Sequence, residues 1–370
     1  MRVLVSPDCF TGTLTAVEAS HAIREGWLRT NPHDEVHVIP LSDGGPGFLG
    51  CVIEALGASN IPVVVKDPLG REIPAEFAIL DNQAWIESAQ ACGLAHLEPD
   101  ERNPLTTSTY GVGQLIAAAI DAGAQRITVG LGGSGTNDAG AGALAALGAE
   151  SKSGALDSGG AALASLSDVD MRHALERIAD VEIVLATDVD NPLLGLRGAT
   201  AMFGRQKGAD DNDIMILEGA LEHFASVLGK RADGKEPAVA LGAGAAGGLG
   251  YGLMHLGASR VAGIGTVMNM LGIDEQIRNA DLVITGEGCL DDQSLHGKVI
   301  AGVADRAVAH GKPCLALAGD VRLGKREAST AGIDSAYSMT ELAGKQAAMG
   351  QPRQVLADLA QRVAKTWGRA

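Results

Sequence analysis

The feature that most constrains the fold of this chain is a repeated order of short β-branched runs, acidic or glycine-rich turns and alanine-rich stretches. In the first example, Val3-Leu4-Val5 leads through Ser6-Pro7-Asp8 to a predicted helix near residues 15–28. Strands that alternate with helices of this length predict βαβ units and therefore a parallel sheet. The same order recurs after the runs at residues 36–39, 127–129, 183–185, 282–284 and 314–317.

One stretch breaks this order. Residues 61–86 hold three short apolar runs around the turn Asp67-Pro68-Leu69-Gly70, which predicts antiparallel hairpins. We therefore expect a second domain to begin near Ile61. The small and polar stretch at residues 151–166 is expected to be a surface loop.

Composition excludes several classes of function. The chain has 29 Lys and Arg against 45 Asp and Glu, a net charge of −16, which disfavours nucleic acid and anionic membranes as partners. The five cysteines are scattered without a C-x-x-C pair, which argues against a disulfide framework or a zinc site. No apolar run resembles a signal peptide or reaches 18 residues, so we expect a cytoplasmic protein.

Carboxylates recur at the predicted carboxyl ends of strands. Because ligands of open α/β sheets bind at these ends, such acids are candidates for holding Mg²⁺ or for acting as a general base. An acid in this position also suits the N-cap of the next helix, and that alternative stays open for each one. The residues are Asp8, Asp43, Asp188, Glu287 and Asp320.

Two glycine-rich runs are candidate anion sites. The run at residues 130–138 follows a predicted strand and precedes a helix, so its backbone N–H groups suit a phosphate or carboxylate; tight packing of helix on sheet is the alternative. The run at residues 242–250 contains G-x-G-x-x-G at Gly242, Gly244 and Gly247. A dinucleotide site also needs a preceding strand and an acid about 20 residues on, neither of which is found, so a substrate or nucleotide loop fits better.

Two further segments concentrate polar groups. Residues 188–208 place Asp188, Asp190 and Asn191 before three cations, which either form a local positive field or a solvated loop. Residues 286–298 follow a strong predicted strand and hold Glu287, Asp291, Gln293, Ser294, His296 and Lys298, a density of polar groups that favours function. His296 itself is expected to be a surface residue. Walker A, protein-kinase, G-x-S-x-G and H-E-x-x-H motifs are absent from the sequence.

Taken together, these motifs resemble the bacterial type I glycerate kinase family. The resemblance runs in order along nearly the whole chain, through the motifs at residues 6–14, 42–45, 103–108, 132–138, 188–193, 203–209, 242–248 and 285–298. It implies a Rossmann-like domain with a parallel sheet flanked by helices (residues 1–60 and 278–370) and an inserted α/β domain with a mixed sheet (61–277), with the active site in the cleft between them. It also implies transfer of the γ-phosphoryl group of ATP, with Mg²⁺, to D-glycerate, yielding 2-phosphoglycerate. A homodimer is left open.

The resemblance suggests roles for the candidate residues. We expect catalytic roles for Asp188, Lys207, Glu287, Asp291 and Lys298, with Asp188 and Glu287 also holding the metal ion. Substrate or phosphate binding is expected of Asp8, Asp43, Gly44, Gly45, Gly132, Gly133, Ser134, Thr136, Asn137, Asp190, Asn191, Gly242, Gly244, Gly247, Gln293 and Ser294.

Four motif positions depart from the family pattern. Thr11 stands where the family usually has Lys, Pro46 where it has Glu, Arg205 where it has Pro and Cys289 where it has Arg. These changes keep open a divergent paralogue that acts on another hydroxy acid, and a non-catalytic metabolite-binding protein. An NAD(P)-dependent oxidoreductase that uses Gly242–Gly247 is the third alternative.

Overall fold

The fold is an α/β arrangement of eleven strands and sixteen α-helices within residues 1–10, 12–295 and 298–368, the part of the chain that this computed structural model describes. The strands are β1 Arg2–Val5, β2 Glu35–Val38, β3 Ser59–Lys66, β4 Glu72–Leu80, β5 Gln83–Glu87, β6 Arg126–Gly130, β7 Glu182–Thr187, β8 Ser259–Ala262, β9 Leu282–Leu290, β10 Cys314–Val321 and β11 Ser335–Ser338. The helices are α1 Ala16–Thr30, α2 Phe48–Leu56, α3 Ala89–Cys92, α4 Tyr110–Asp121, α5 Ala141–Ala146, α6 Arg172–Arg177, α7 Ala199–Phe203, α8 Asp211–Leu228, α9 Ala245–His255, α10 Gly263–Met270, α11 Ile273–Asn279, α12 Val299–Ala309, α13 Lys325–Thr330, α14 Met339–Ala343, α15 Lys345–Gly350 and α16 Pro352–Trp367.

The chain forms two compact units. The first unit contains residues 1–43, 50–57 and 263–370, and the second contains residues 44–49 and 58–262. Relative to the predicted domains, residues 263–277 fall with the first unit, and residues 44–49 and 58–60 fall with the second.

The first unit is built on a five-stranded sheet in the order β11-β10-β9-β1-β2, in which every pair is parallel. The predicted strands at residues 3–5, 36–39, 282–284 and 314–317 all lie in this sheet, so the parallel α/β prediction is confirmed. The strand predicted at residues 282–284 continues to Leu290, however, and therefore includes the glycine-rich turn expected at residues 285–288.

Helix α1 shows why the first unit folds where it does. Thr15 caps it, since the Thr15 hydroxyl accepts a hydrogen bond from the Glu18 N–H and the Glu18 carboxylate accepts one from the Thr15 N–H. Ile23 and Trp27, one turn apart, are completely buried in the core. A Cβ atom at Gly26 would lie 2.0 Å from the Ala357 carbonyl oxygen, so glycine permits the close approach of α16.

The second unit is built on a six-stranded mixed sheet in the order β3-β4-β5-β6-β7-β8. The β3–β4 and β4–β5 pairs are antiparallel and the remaining pairs are parallel. This confirms the antiparallel hairpins predicted within residues 61–86.

The segment at residues 151–166 differs from the expected surface loop. It contains a 3₁₀ turn at Ala161–Ser165, and Leu156 and Leu163 are buried in the core of the second unit. Two apolar anchors within a run of small residues explain the difference, because burying them fixes a segment that otherwise reads as polar.

Candidate functional site

Asp8 and Glu287 lie close together at the carboxyl ends of neighbouring strands in the first unit. Strand β1 pairs with β9, and beyond β1 the Asp8 N–H still donates to the Gly286 carbonyl oxygen at 2.8 Å. The pKa of Asp8 is raised to about 7, mainly by burial and in smaller part by the nearby carboxylates of Asp43 and Glu287. The Asp8 and Glu287 carboxylates, which repel each other at the end of a parallel sheet, make this position a candidate site for a cation.

Glu287 strengthens this assignment. Its side chain is only 7% exposed, and its Oε1 atom is buried without a hydrogen-bond partner. Burial raises the pKa of Glu287, whereas the Ser294 hydroxyl and the Lys298 ammonium oppose that rise. A buried carboxylate oxygen without a donor is costly, and a bound cation or ligand hydroxyl would supply the missing interaction.

Several polar groups of the turn after β9 form hydrogen bonds within the turn itself. The Ser294 hydroxyl accepts a hydrogen bond from the Asp291 N–H at 3.0 Å and donates one to the Cys289 carbonyl oxygen at 3.2 Å. Asp291 Oδ1 accepts a hydrogen bond from the Gln293 N–H, while the Gln293 side chain is exposed. Ser294 thus supports the turn. His296 and Gly297 lie outside the described residues, so the expectation for His296 stays a prediction.

A pocket of about 360 Å³ opens at this edge of the first unit. Glu287, Asp291 and Lys298 line it together with residues of β10, α14 and α15. The volume falls in the range typical of small-molecule sites.

The Asp8 and Glu287 carboxylates fit a magnesium ion. Mg²⁺ is usually held by one or two carboxylates together with waters and substrate phosphates. The buried, unpartnered Glu287 Oε1 and the adjacent Asp8 carboxyl supply such a pair. Across the described ranges, no three His, Cys, Asp or Glu side chains are arranged to hold a metal ion by themselves.

In the second unit, the loop at residues 44–46 packs against the glycine-rich loop after β6. The Gly132 N–H donates to the Gly44 carbonyl oxygen, and a Cβ atom at Gly132 would lie 2.3 Å from the Gly45 Cα atom. A Cβ atom at Gly133, whose φ is +72°, would lie 2.7 Å from Pro46 Cγ. These glycines therefore allow two backbones to touch, which is the packing alternative left open above.

Lys207 is buried inside the second unit, where its side chain is 1% exposed. Its ammonium group donates hydrogen bonds to Ser134 Oγ at 3.0 Å and to the Thr136 carbonyl oxygen at 2.7 Å. Burial lowers the pKa of Lys207 to about 8, although Cys92 and Asp138 oppose that change. Lys207 thus stabilises the glycine-rich loop through hydrogen bonds formed in the interior of the second unit.

The polar side chains of the same loop are buried as well. Ser134 is 8% exposed, and Thr136 and Asn137 are fully buried. The Asn137 amide donates to Thr200 Oγ1 at 2.9 Å, while its Oδ1 atom has no hydrogen-bond partner.

Two acids that sequence reasoning did not select position these loops. Glu87, 5% exposed at the end of β5, accepts hydrogen bonds from the N–H groups of Gly47 and Leu49. Asp138 is fully buried and accepts four hydrogen bonds, two from Thr109 and one each from the N–H groups of Gly140 and Gly142. The sequence signal that selected the other acids, an acidic residue at the carboxyl end of a strand, also applies to Glu87. Asp138 was considered only as part of the glycine-rich loop.

The acids after β7 lie on the surface of the second unit. Asp188 and Asp190 are exposed, and Asp190 forms an ion pair with Arg260. The Asn191 amide donates to the Arg197 carbonyl oxygen at 2.7 Å. The Asp190 carboxylate and the Asn191 amide are therefore already engaged within the protein.

The second glycine-rich run is packed against neighbouring backbone. A Cβ atom would lie 2.6 Å from Arg260 Cδ at Gly242, 2.3 Å from the Pro192 carbonyl oxygen at Gly244 and 1.9 Å from the Thr136 carbonyl oxygen at Gly247. A 3₁₀ turn at Pro237–Val239, rather than a β-strand, precedes the run. The geometry therefore lacks the strand that a dinucleotide fingerprint requires.

Four of the acids at strand ends, Asp8, Asp188, Glu287 and Asp320, are not the N-caps of the helices that follow them in the described residues. These helices are α1, α7, α12 and α13, and their N-caps are Thr15, Gly198, Lys298 and Gly324. The capping alternative is therefore wrong for these positions.

The positions that depart from the family pattern have different surroundings. Pro46 packs near Gly133, Arg205 is exposed and pairs with Asp211, and Cys289 lines the pocket of the first unit. Thr11 lies outside the described residues. The positive field expected from the cations near residue 205 is reduced, because Lys207 points inward and Arg205 is paired.

None of the helices in the described part of the chain combines the length and apolar character needed to cross a membrane. None of the five cysteines forms a disulfide.

Comparisons with known proteins agree over nearly the full length. The sequence profile of the glycerate kinase family matches residues 3–368. A glycerate kinase from Halalkalibacterium halodurans is 41% identical over 344 residues, which cover 91% of this chain and 90% of the relative. A glycerate 2-kinase from Escherichia coli K12 is 38% identical over 345 residues, which cover 92% of this chain and 90% of the relative.

A solved structure matches the whole chain. The crystal structure of a protein from Salmonella typhimurium LT2, provisionally named glycerate kinase 2, superposes with a TM-score of 0.85 and is 35% identical in sequence. The match covers 100% of this chain and 98% of that one. Family, relatives and structure agree, and this chain is a kinase that belongs to the glycerate kinase family.

Proposed function

We propose that this kinase transfers the γ-phosphoryl group of ATP to the 2-hydroxyl group of D-glycerate, with Mg²⁺, and releases 2-phosphoglycerate and ADP. The names of the relatives supply the acceptor, and the name of the Escherichia coli relative supplies the position. The observation that carries the proposal is the buried Glu287 Oε1 atom, which has no partner and belongs to a residue that lines a pocket with Lys298.

Phosphoryl transfer demands mainly positioning and electrostatic stabilisation from the protein. Glu287 and Asp8 would hold Mg²⁺, which neutralises phosphate charge when it is bound. The Lys298 ammonium, exposed and on the same pocket, would stabilise negative charge on the transferred group. Asp291 would assist on the same side.

Asp188 remains our proposed general base for the acceptor hydroxyl. It lies at an exposed position directly after β7. Its part would be to orient the hydroxyl and to accept its proton as the bond to phosphorus forms.

The glycine-rich loop at residues 132–137 would contribute a rigid backbone surface to anion binding. Lys207 supports this role indirectly, because its two hydrogen bonds fix the positions of Ser134 and Thr136. Lys207 is therefore a positioning residue in this proposal, rather than the charge-neutralising group expected from the sequence.

The oxidoreductase alternative has lost its structural support, since the G-x-G-x-x-G run follows no strand and is packed against backbone. The divergent or non-catalytic alternative still rests on the four departures from the family pattern. It predicts that ligands raise the melting temperature without any release of ADP.

Two measurements test the proposal. Release of ADP in the presence of ATP, Mg²⁺ and D-glycerate tests the reaction, with L-glycerate and glycolate as comparison acceptors. The proton-coupled ³¹P spectrum of the product tests the position, because phosphate on the 2-oxygen couples to one carbon-bound proton and gives a doublet. A triplet would place the phosphate on the 3-oxygen, and absence of ADP release with every acceptor would overturn the kinase proposal for glycerate.

A further inference from the structure

The pocket of the first unit has two chemically different sides. Glu287, Asp291 and Lys298 come from β9 and the segment that follows it. Met339, Ala348 and Met349 come from α14 and α15, which follow β11. The first side is therefore charged, whereas the second presents these three apolar side chains beside Thr340 and Lys345.

The order of the strands separates these two sides. In the sheet, β10 lies between β9 and β11. On the far side of β10, helix α14 follows β11, and its Thr340 hydroxyl reaches the Asp320 carboxylate. The order across the pocket is therefore β9, β10 and α14, with Asp320 of β10 in the middle.

Asp320 lies between the two sides and also lines the pocket. Its Oδ1 atom accepts a hydrogen bond from Thr340 Oγ1 at 2.9 Å, and its Oδ2 atom accepts one from Arg322 Nε at 3.1 Å. These donors lower the pKa of Asp320, so its carboxylate is ionised and can accept hydrogen bonds from ligand hydroxyl groups.

The apolar side is partly open. Met339 and Ala348 are 1% and 4% exposed, whereas Met349 is 57% exposed. Methionine side chains make favourable contacts with aromatic rings. Lys298 lines the pocket at an exposed position and carries a positive charge that suits a phosphate.

We infer that this pocket receives the nucleotide, with the base against Met339, Ala348 and Met349, the ribose hydroxyls at Asp320 and the phosphates at Lys298. The inference rests on the proposed use of ATP. It assigns to one pocket a ligand with an aromatic end, a hydroxylated middle and an anionic end, which is the order of groups that the residues present.

Met349→Asp tests the inference without threatening the core, because the side chain is mostly exposed. We expect the variant to raise the KM for ATP at least about tenfold and to weaken ADP binding by a similar factor, with the KM for D-glycerate unchanged. Met215→Asp, at a 67% exposed methionine on α8, is the matched control and should change none of these values.

The outcomes separate this inference from the proposed function. An active wild-type enzyme whose KM for ATP and affinity for ADP are the same in Met349→Asp would overturn the nucleotide pocket. A rise in the KM for D-glycerate alone would overturn it as well, because the pocket would then receive the acceptor. If wild type binds ADP through Met349 but phosphorylates no glycerate, the pocket assignment stands and the proposed function fails.

Discussion

The Lys207 ammonium group donates a hydrogen bond to the carbonyl oxygen of Thr136, 2.7 Å away, and both residues are buried in the second unit. The lysine therefore carries its charge in an interior where few groups compensate it. Through its hydrogen bonds, Lys207 connects the segment that follows α7 to the glycine-rich loop after β6.

Replacing Lys207 should change how stability depends on pH. The pKa of Lys207 is about 8 in the folded protein and 10.5 in a model peptide, so folding releases a proton between these values and stability rises with pH there. Between pH 7.5 and 9.5 the free energy of unfolding of wild type should gain about 2 kcal/mol relative to Lys207→Met. Urea unfolding at both pH values measures the gain; two parallel profiles would show that Lys207 titrates normally.

Glu287→Gln should lower turnover at least about a hundredfold without loss of stability. The amide keeps the shape of the side chain but removes the charge that the proposed magnesium site needs. Because burial already raises the pKa of Glu287, removing the charge should leave the melting temperature at pH 8 unchanged or higher. Glu341→Gln, at an exposed position on α14, is the control and should keep full turnover.

Asp188→Asn tests the proposed base separately. We expect turnover to fall at least about a hundredfold while the KM for ATP changes little. The melting temperature of the variant, measured in parallel, distinguishes a loss of folding from a loss of catalysis. Turnover like that of wild type would remove Asp188 from the mechanism.

Gly247→Ala should destabilise the protein by about 3 kcal/mol or more. Its φ is +68°, and the added methyl group would lie 1.9 Å from the Thr136 carbonyl oxygen. Gly219→Ala, within α8 and with open space around it, should instead stabilise the protein by about 0.5–1 kcal/mol. Chemical denaturation measures the free energy of unfolding of both variants and so checks the predicted loss and the predicted gain. Equal free energies of unfolding would mean that the backbone around Gly247 shifts at little cost to make room for the methyl group.

Glu87→Ala should destabilise the protein by about 2 kcal/mol, because the buried N–H group of Leu49 and the half-buried N–H group of Gly47 lose their acceptor. Activity should fall as well, since this contact holds the loop at residues 44–49. Glu72→Ala, at an exposed position at the start of β4, should cost less than about 0.5 kcal/mol. If Glu87→Ala lost stability but kept full activity, the loop at residues 44–49 would have no part in catalysis.

Most of the fold was predictable because strands and helices have periodic signals. The strand at residues 3–5, the helix near residues 15–28 and the hairpins after Ile61 all follow from local patterns. The continuation of β9 through Glu287 to Leu290 was not predictable, because glycines in a strand read as a turn. There a Cβ atom at Gly286 would lie 2.2 Å from the Leu317 carbonyl oxygen of β10, a requirement that only the paired strand reveals.

The candidate site was only partly predictable. Motifs selected Asp8, Glu287 and Lys298, which the structure brings to one edge of the first unit. They also selected Lys207 as a catalytic cation, whereas its side chain is buried, since a sequence does not show which way a side chain points. Met349 was missed because only the folded structure shows that it lines a pocket with residues that are distant in the sequence.

The strand order of the first unit has a consequence for synthesis on the ribosome. Strand β1 pairs with β2 on one side and with β9, some 280 residues later, on the other. The emerging polypeptide therefore exposes an unpaired strand edge until residues 282–290 leave the exit tunnel, while residues 58–262 already contain all the strands of the other sheet. Translation should thus complete the inserted sheet first, and a nascent chain stalled before residue 282 should depend on chaperones to shield its open N-terminal strands.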